Sequence, residues 1–213
     1  MGEGGAVFTN NPKLKMIAES FRDWGRDCYC PPGKENTCRK RFCWKLGMLP
    51  EGYDHKYIYS HMGYNLKITD MQAASGLAQL KKLDSFILKR RENFNYLYDN
   101  LQILEKKGFL YLPKSTNNSK PSWFGFPLSV ADPNYQRLDL LNFLNSHKIG
   151  TRLLFSGNLT KQPYMIDKKY KIIGELINTD NIMNNTFWIG LHPSLSKEML
   201  DFVIDKMISF FHD

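Results

Sequence analysis

The sequence lacks an uninterrupted apolar run long enough to cross a membrane, and its first residues have neither the basic start nor the apolar stretch of a secretory signal. These absences predict a cytoplasmic protein with no membrane partner. Internal repeats and low-complexity tracts are also missing. With 42% apolar and 14% aromatic residues among 213, the chain can form a hydrophobic core, which excludes disorder as its general state.

Several signatures of common function classes are absent as well. The glycine-rich residues 2–5 are not followed by the GK[ST] of a phosphate-binding loop, and no Ser/His/Asp set has a sequence signature. Lys and Arg number 29 against 21 Asp and Glu, which gives a net charge of +8. No recognisable nucleic-acid module accompanies this excess, so nucleic acid is not expected as a partner.

Cysteine is scarce, yet all four cysteines lie between Cys28 and Cys43. In a reducing compartment such a cluster indicates metal or redox chemistry before disulfides. The spacing is unlike the paired CxxC of a zinc ribbon, and three interpretations remain open: a structural zinc site, an iron–sulfur site, or four ordinary thiols. His55 and His61 lie beside the cysteines and are further candidate ligands, although a surface or hydrogen-bonded structural role is the safer interpretation of each.

The pattern of apolar residues predicts a mixed α/β chain. We expect a short buried strand at 3–9, a helix that Asn11 caps and Pro12 begins, and a long loop without periodicity at 26–62. Helical spacing returns after Thr69 and Asp70 and continues to about residue 107. Beyond it, strands at 123–130, 151–155 and 186–191 alternate with helices at 135–147 and from Met199 to Phe210.

Two motifs, GEGGAVFT at residues 2–9 and GYNLKITDMQAA at 63–74, together resemble the DegT/DnrJ/EryC1/StrS sugar aminotransferase and dehydratase family. Within it, WGRDCYCPPG at 24–33 and GTRLLFSGNLT at 150–160 are similar to the CDP-4-dehydro-6-deoxyglucose 3-dehydrases.

The resemblance implies a pyridoxal-phosphate fold of type I, of which this chain is the C-terminal portion. Residues 1–82 then end the large cofactor domain and include the cluster loop 26–62, residues 83–107 form a connecting helix, and 108–213 form a small α/β domain. The implied enzyme is a homodimer that removes the C3 hydroxyl of a CDP-sugar, on the way to the 3,6-dideoxyhexoses of lipopolysaccharide O-antigen. It uses pyridoxamine phosphate, a [2Fe-2S] cluster and electrons from a reductase.

The resemblance also assigns site residues. Cys28, Cys30 and Cys38 match the last three cluster ligands, with the first expected upstream of Met1 and Cys43 as a candidate substitute. Asn65 matches the asparagine that reaches the cofactor phosphate of the neighbouring subunit. Phe124 is expected to line the sugar end of the pocket, although core packing explains it about equally well.

Arg152 is a candidate for the CDP diphosphate, because a guanidinium suits phosphate oxygens. The family's catalytic base, a His in the dehydrases and a Lys in the aminotransferases, is expected upstream of Met1. We therefore expect the 213-residue chain alone to be inactive. Two alternatives remain: a pyridoxal-phosphate sugar aminotransferase, and a non-enzymatic module that binds zinc or mediates dimerisation.

Overall fold

The computed structural model describes residues 1–31 and 33–212. They divide into two compact units, Met1–Lys81 and Lys82–Asp213. Pro32, which belongs to the expected cluster loop, and Asp213, the last residue of the expected small domain, lie outside the described residues.

Within its described residues the first unit contains two α-helices, and both begin as the sequence predicts. The Oδ1 atom of Asn11 accepts hydrogen bonds from the backbone N–H groups of Lys13 and Leu14, and Pro12 occupies the first turn, where its missing N–H is not needed. At the second helix, Thr69 and Gln72 form a reciprocal capping box. The bounds are α1, Pro12–Arg22; a 3-10 turn, His55–Tyr57; and α2, Asp70–Leu80.

The expectation of a buried strand at 3–9 is wrong. No strand forms there, and the side chains of Val7 and Phe8 are 86% and 90% exposed. A strand is stable when its backbone groups pair with a neighbour, and the described part of this unit holds no strand beside it. Among its described residues, Ile58 is the one large hydrophobic side chain that is buried, at 2% exposure.

Backbone contacts close the long cysteine-rich loop at its base. Trp24 N–H donates to the carbonyl of Tyr64 at 2.8 Å, and Tyr64 N–H donates to the carbonyl of Phe21 at 2.7 Å. Isolated antiparallel bridges join Asp23 to Asn65 and Arg26 to Tyr59. The end of α1 is thereby fixed against the segment that leads to α2.

Gly25 and Gly63 permit this approach because neither has a side chain. A Cβ atom on Gly25 would lie 1.9 Å from the carbonyl oxygen of His61, and one on Gly63 would lie 2.3 Å from the backbone nitrogen of Gly25. Gly25 also has a φ of +83°, which other residues adopt at a cost. Both glycines are therefore required where the loop closes.

The second unit is an antiparallel four-stranded sheet with helices. In space the strands follow the order β1-β2-β4-β3, and each neighbouring pair is antiparallel. The bounds are α3, Leu83–Lys106; β1, Leu110–Tyr111; β2, Gly125–Val130; α4, Arg137–Ser146; β3, Thr151–Leu153; α5, Ile177–Asn185; β4, Thr186–Gly190; and α6, Lys197–Phe210.

The core of this unit lies between the sheet and the helices. Alternate residues of β2 are buried, as expected for a strand with one face against the core. The fully buried side chains come from α3, α4, α6, from strands β1, β2 and β4, and from the residue after β4: Leu97, Leu101, Leu104, Leu110, Phe126, Leu128, Leu140, Leu144, Phe187, Ile189, Leu191 and Met207.

The pattern of apolar residues does not predict two elements of the second unit. Strand β1 has only two residues, which is too short to show a period, and α5 carries an Asn-rich sequence in which no residue is buried. Across the described ranges 1–31 and 33–212, no helix has both the length and the apolar character needed to span a bilayer.

Leu140 and Leu138 lie on α4 with opposite environments, since Leu140 is fully buried and Leu138 is 65% exposed. We expect Leu140→Ala to lower the free energy of unfolding by about 2 to 5 kcal/mol, because a buried leucine leaves a cavity. Leu138→Ala should change it by no more than about 0.5 kcal/mol. Urea denaturation followed by circular dichroism measures both, and equal losses would contradict this description of the core.

Candidate functional site

The cysteine-rich loop brings three of the four thiols together. The side chains of Cys28, Cys30 and Cys38 are half-buried, and the Sγ atoms of Cys28 and Cys38 both contact the ring of His55. The N–H of Lys40 donates to Cys38 Sγ at 3.4 Å. Thiolates are common metal ligands, so these positions are candidates for a metal site.

His55 joins the thiols from the opposite part of the loop. Its Nε2 atom lies 3.6 Å from Cys38 Sγ and 3.9 Å from Cys28 Sγ. The ligand atoms of Cys28, Cys30 and His55 all lie within 4.8 Å of one another. The sequence offers both His55 and His61 as candidate metal ligands, and only the folded loop distinguishes between them.

The surroundings shift the pKa values of two neighbouring thiols in opposite directions. Burial raises the pKa of Cys28, because a thiolate loses hydration there. A hydrogen bond from the Thr37 side chain, together with contacts from Cys38 and Cys28, lowers the pKa of Cys30 to about 7. Metal ligation needs thiolates, so the environment of Cys30 favours the form that binds a metal.

Cys43 and His61 lie apart from this set. Cys43 is exposed, and in the part of the chain that the structure describes it does not belong to the group of converging ligand atoms. His61 Nε2 instead contacts Ser20 Oγ at 3.3 Å, and its ring packs on Phe21. The structure thus brings His55, rather than Cys43, beside the three thiols.

An ion-pair network holds the side of the loop that carries His55. Arg41 Nη2 contacts Asp54 Oδ2 at 2.7 Å, and Glu35 pairs with both Arg41 and Lys56. The hydrogen bond from Arg41 lowers the pKa of Asp54 below its ordinary value. Asp54 Oδ1 also accepts from the N–H of Lys56, which caps the 3-10 turn that begins at His55.

A cleft of about 700 Å³ lies beside the thiols and includes Cys28 and Cys30 in its lining. Four acidic and six basic side chains line it. The basic residues are Lys15, Arg22, Arg26, Lys34, Lys56 and Lys67. Their excess gives the approach to the thiols a positive character.

Asn65 lies at the base of the same unit and is exposed. Its Oδ1 atom is 3.3 Å from Lys67 Nζ, which lies 3.4 Å from Asp23 Oδ1 and 3.6 Å from the centroid of the Trp24 ring. An exposed carboxamide next to an ammonium group can bind a phosphate oxygen.

In the second unit, Phe124 and Arg152 share one neighbour, Trp188. The rings of Phe124 and Trp188 have centroids 5.3 Å apart, and Arg152 is the direct cross-strand partner of Trp188 in the β3–β4 pair. Directly opposed residues of an antiparallel pair lie on the same face of the sheet. Phe124 is 70% exposed, so the alternative that it packs in the core is wrong.

Trp188 is a candidate binding residue that sequence reasoning missed. A Cβ atom on Gly125 would lie 2.4 Å from the Trp188 ring, so glycine at that position makes room for the indole, whose Nε1 donates to the Leu153 carbonyl at 3.1 Å. The Arg90 guanidinium lies 6.0 Å from the Phe124 ring centroid. Aromatic faces next to a guanidinium suit a ligand with a flat ring and a phosphate.

Comparison with known proteins identifies what the chain is similar to. The sequence profile of the DegT/DnrJ/EryC1/StrS aminotransferase family matches residues 1–208. The lipopolysaccharide biosynthesis protein RfbH of Salmonella typhimurium is 59% identical over 212 residues, which are 99% of this chain and 48% of that protein.

A dTDP-4-dehydro-2,6-dideoxy-D-glucose 3-dehydratase of Saccharopolyspora spinosa is 50% identical over 210 residues, covering 98% of this chain and 45% of that protein. Among solved structures, the E. coli GDP-4-keto-6-deoxy-D-mannose-3-dehydratase with bound hydrated PLP matches with a TM-score of 0.74 and 24% identity over 93% of this chain and 48% of that one. The chain therefore has the fold of the C-terminal part of these proteins and spans about half the length of the curated relatives it matches.

The closure of the cysteine-rich loop depends on Gly25. We expect Gly25→Ala to lower the free energy of opening of the loop by at least about 2 kcal/mol. The added Cβ would clash with a carbonyl oxygen, and the left-handed backbone would be strained. The free energy of opening follows from amide hydrogen exchange of Trp24 and Tyr64. Gly47→Ala is the control, since Gly47 has a φ of +57° and open space around it, and its effect should be only the backbone strain of about 1 to 2 kcal/mol. Equal effects would show that the close approach does not matter.

Proposed function

Because the chain belongs to the DegT/DnrJ/EryC1/StrS aminotransferase family, we propose that it is part of a nucleotide-sugar 3-dehydrase that acts on CDP-4-dehydro-6-deoxyglucose. The gathering of three thiols around the His55 ring is the observation that carries the proposal: Cys28 and Cys30 lie within 4.8 Å of its ligand atom, and Cys38 Sγ lies 3.6 Å from Nε2. A sugar aminotransferase has no need of three thiols at one point, whereas removal of a hydroxyl with electrons from a reductase needs a redox centre. The similar proteins include a named 3-dehydratase and a lipopolysaccharide biosynthesis protein, which supports a place in O-antigen synthesis.

The proposed redox centre is a [2Fe-2S] cluster at the converging thiols. The residues fit the group, because thiolates are the usual protein ligands of iron–sulfur clusters and one of the three has a pKa near 7. The basic lining of the adjoining cleft supports an acidic reductase as the electron donor, since opposite charge steers association. In the net reaction two electrons and two protons replace the C3 hydroxyl with hydrogen, and the hydroxyl leaves as water.

The proposed organic cofactor is pyridoxamine phosphate, which supplies an amine and an electron sink when bound. In this chain Asn65 would hold its phosphate in a neighbouring subunit, and the nearby Lys67 ammonium adds positive charge. A homodimer is supported by α2, which buries no residue within its unit while Met71, Leu77 and Leu80 are all more than 60% exposed.

The proposed substrate site is the surface formed by Phe124, Arg152 and Trp188. Its exposed rings suit the cytosine base or the sugar, and the Arg152 guanidinium suits the diphosphate. Arg152 has no carboxylate partner among the described residues, and the hydrogen bond from its Nη1 goes to the adjacent carbonyl of Thr151. Its remaining donors are therefore available to a ligand.

The cluster proposal predicts a sharp difference among the cysteines. After anaerobic reconstitution with ferrous iron and sulfide, Cys28→Ser and Cys38→Ser should lose most of the bound iron and sulfide, because each removes a thiolate ligand. Cys43→Ser should keep both, together with the visible absorption of the cluster. Zinc without sulfide in the unaltered chain would contradict the cluster and favour the zinc-binding alternative.

The substrate site predicts an effect on nucleotide binding. Arg152→Gln should weaken binding of CDP, measured by titration calorimetry, by about tenfold to a hundredfold, because a charge-assisted hydrogen bond contributes about 1.5 to 3 kcal/mol. The control is Arg39→Gln, which removes the same charge from an exposed position in the other unit. A similar loss in both variants would mean that only net charge matters.

A further inference from the structure

The imidazole of His55 is fully buried, and its polar contacts are with sulfur atoms. The residue has 0% exposure, and Nε2 lies 3.6 Å from Cys38 Sγ and 3.9 Å from Cys28 Sγ. Its other ring nitrogen, Nδ1, is buried with no hydrogen-bond partner in the described ranges. The two sulfur atoms are therefore the hydrogen-bonding partners that the described residues offer this ring.

These contacts indicate which ring nitrogen carries the proton. A neutral imidazole has one N–H and one lone pair, and its tautomer is assigned from its neighbours. A thiolate accepts hydrogen bonds and donates none, so a lone pair on Nε2 would face the lone pairs of sulfur. A proton on Nδ1 would be buried without an acceptor. The tautomer with the proton on Nε2 therefore suits thiolates at Cys28 and Cys38.

The loop holds the His55 ring in that position from several sides. The backbone N–H of His55 donates to the Arg41 carbonyl at 3.0 Å, and the ring packs on Trp44 with centroids 4.7 Å apart. Arg41 is paired with Asp54, the residue immediately before His55. A donor fixed in this way loses little conformational entropy when it hydrogen-bonds to sulfur.

A buried N–H that points at a thiolate stabilises negative charge on its sulfur. Uptake of one electron adds negative charge to an iron–sulfur centre and to the sulfurs that hold it. Hydrogen bonds to these sulfurs therefore favour the reduced state and raise the reduction potential. Full burial of the ring also keeps water from competing for the same sulfurs.

We propose that His55 donates a hydrogen bond from Nε2 to the thiolate sulfurs of Cys38 and Cys28, and that this contact raises the reduction potential of the centre they hold. The ligands of the cluster remain cysteines, and His55 is a positioning residue that acts through their sulfurs. The presence of a [2Fe-2S] cluster rests on the proposed function, whereas the donor contact rests on the distances and burial of His55.

Redox titration of the reconstituted chain tests the effect on potential. His55→Phe removes the N–H but keeps a ring that can pack on Trp44, whereas His55→Gln keeps an amide N–H. Both variants should retain iron and sulfide. His55→Phe should lower the equilibrium constant for reduction about tenfold, which is about 59 mV for a one-electron couple, and His55→Gln should recover most of this loss. His61→Phe is the matched control, because His61 contacts Ser20 instead, and it should leave the potential unchanged.

Three results would overturn the proposal. The potential could be unchanged in His55→Phe, or it could fall equally in His55→Phe and His55→Gln, in which case the N–H is not what matters. Loss of iron and sulfide from His55→Phe, with circular dichroism showing that the variant folds, would also contradict it, because His55 would then be needed to hold the centre.

NMR of the chain before reconstitution separates this proposal from the proposed function. With ¹⁵N-labelled histidine, we expect the ring proton of His55 to reside on Nε2, with the signal assigned by its loss in His55→Gln. Cys38→Ser should shift this signal and Cys43→Ser should not, because Cys38 contacts the ring and Cys43 is exposed. A proton on Nδ1, or an equal response to both serine variants, would overturn the donor contact. If the chain takes up no iron and sulfide, the dehydrase proposal fails, while this spectrum still decides whether His55 donates to sulfur.

Discussion

The close backbone contact between Gly25 and Gly63 is the constraint on which the first unit depends. The loop that it closes has one 3-10 turn, His55–Tyr57, as its only helix and contains no extended strand within the described residues. Such a segment loses a large conformational entropy when it folds. Hydrophobic burial offsets little of this loss, because among the described residues Ile58 is the one large hydrophobic side chain of the unit that is buried. Backbone hydrogen bonds at the base and ion pairs around Arg41 therefore replace a core as the source of order.

This balance explains why ligand-bearing residues gather in that loop. Cys28, Cys30 and Cys38 lie around the buried His55 ring, and a metal ion bound to the thiols would add the cohesion that the small number of apolar contacts does not provide. Burial in this loop also raises the pKa of Cys28. The same arrangement thus links the stability of the loop to its proposed chemistry.

The second unit is stabilised differently. Its sheet and helices bury a continuous apolar core, with Phe126, Phe187 and Leu140 all inaccessible to solvent. The rigid sheet presents Arg152 and Trp188 side by side because they are paired across two strands. Glycine at position 125 makes room for the indole. A binding surface built on paired strands needs no metal to order it.

The sequence by itself determined the helices with strong local signals. The Asn11 and Thr69 caps and the apolar stripes of α3 and α6 are properties of neighbouring residues, so α1, α2, α3 and α6 were predictable. Only the tertiary structure decided that residues 3–9 form no strand and that His55, not His61, lies beside the thiols. It also decided that Trp188 contacts Phe124 and pairs with Arg152 across the strands. These outcomes depend on contacts between residues far apart in the chain, which follow from loop closure and strand register and leave no periodic trace in the sequence.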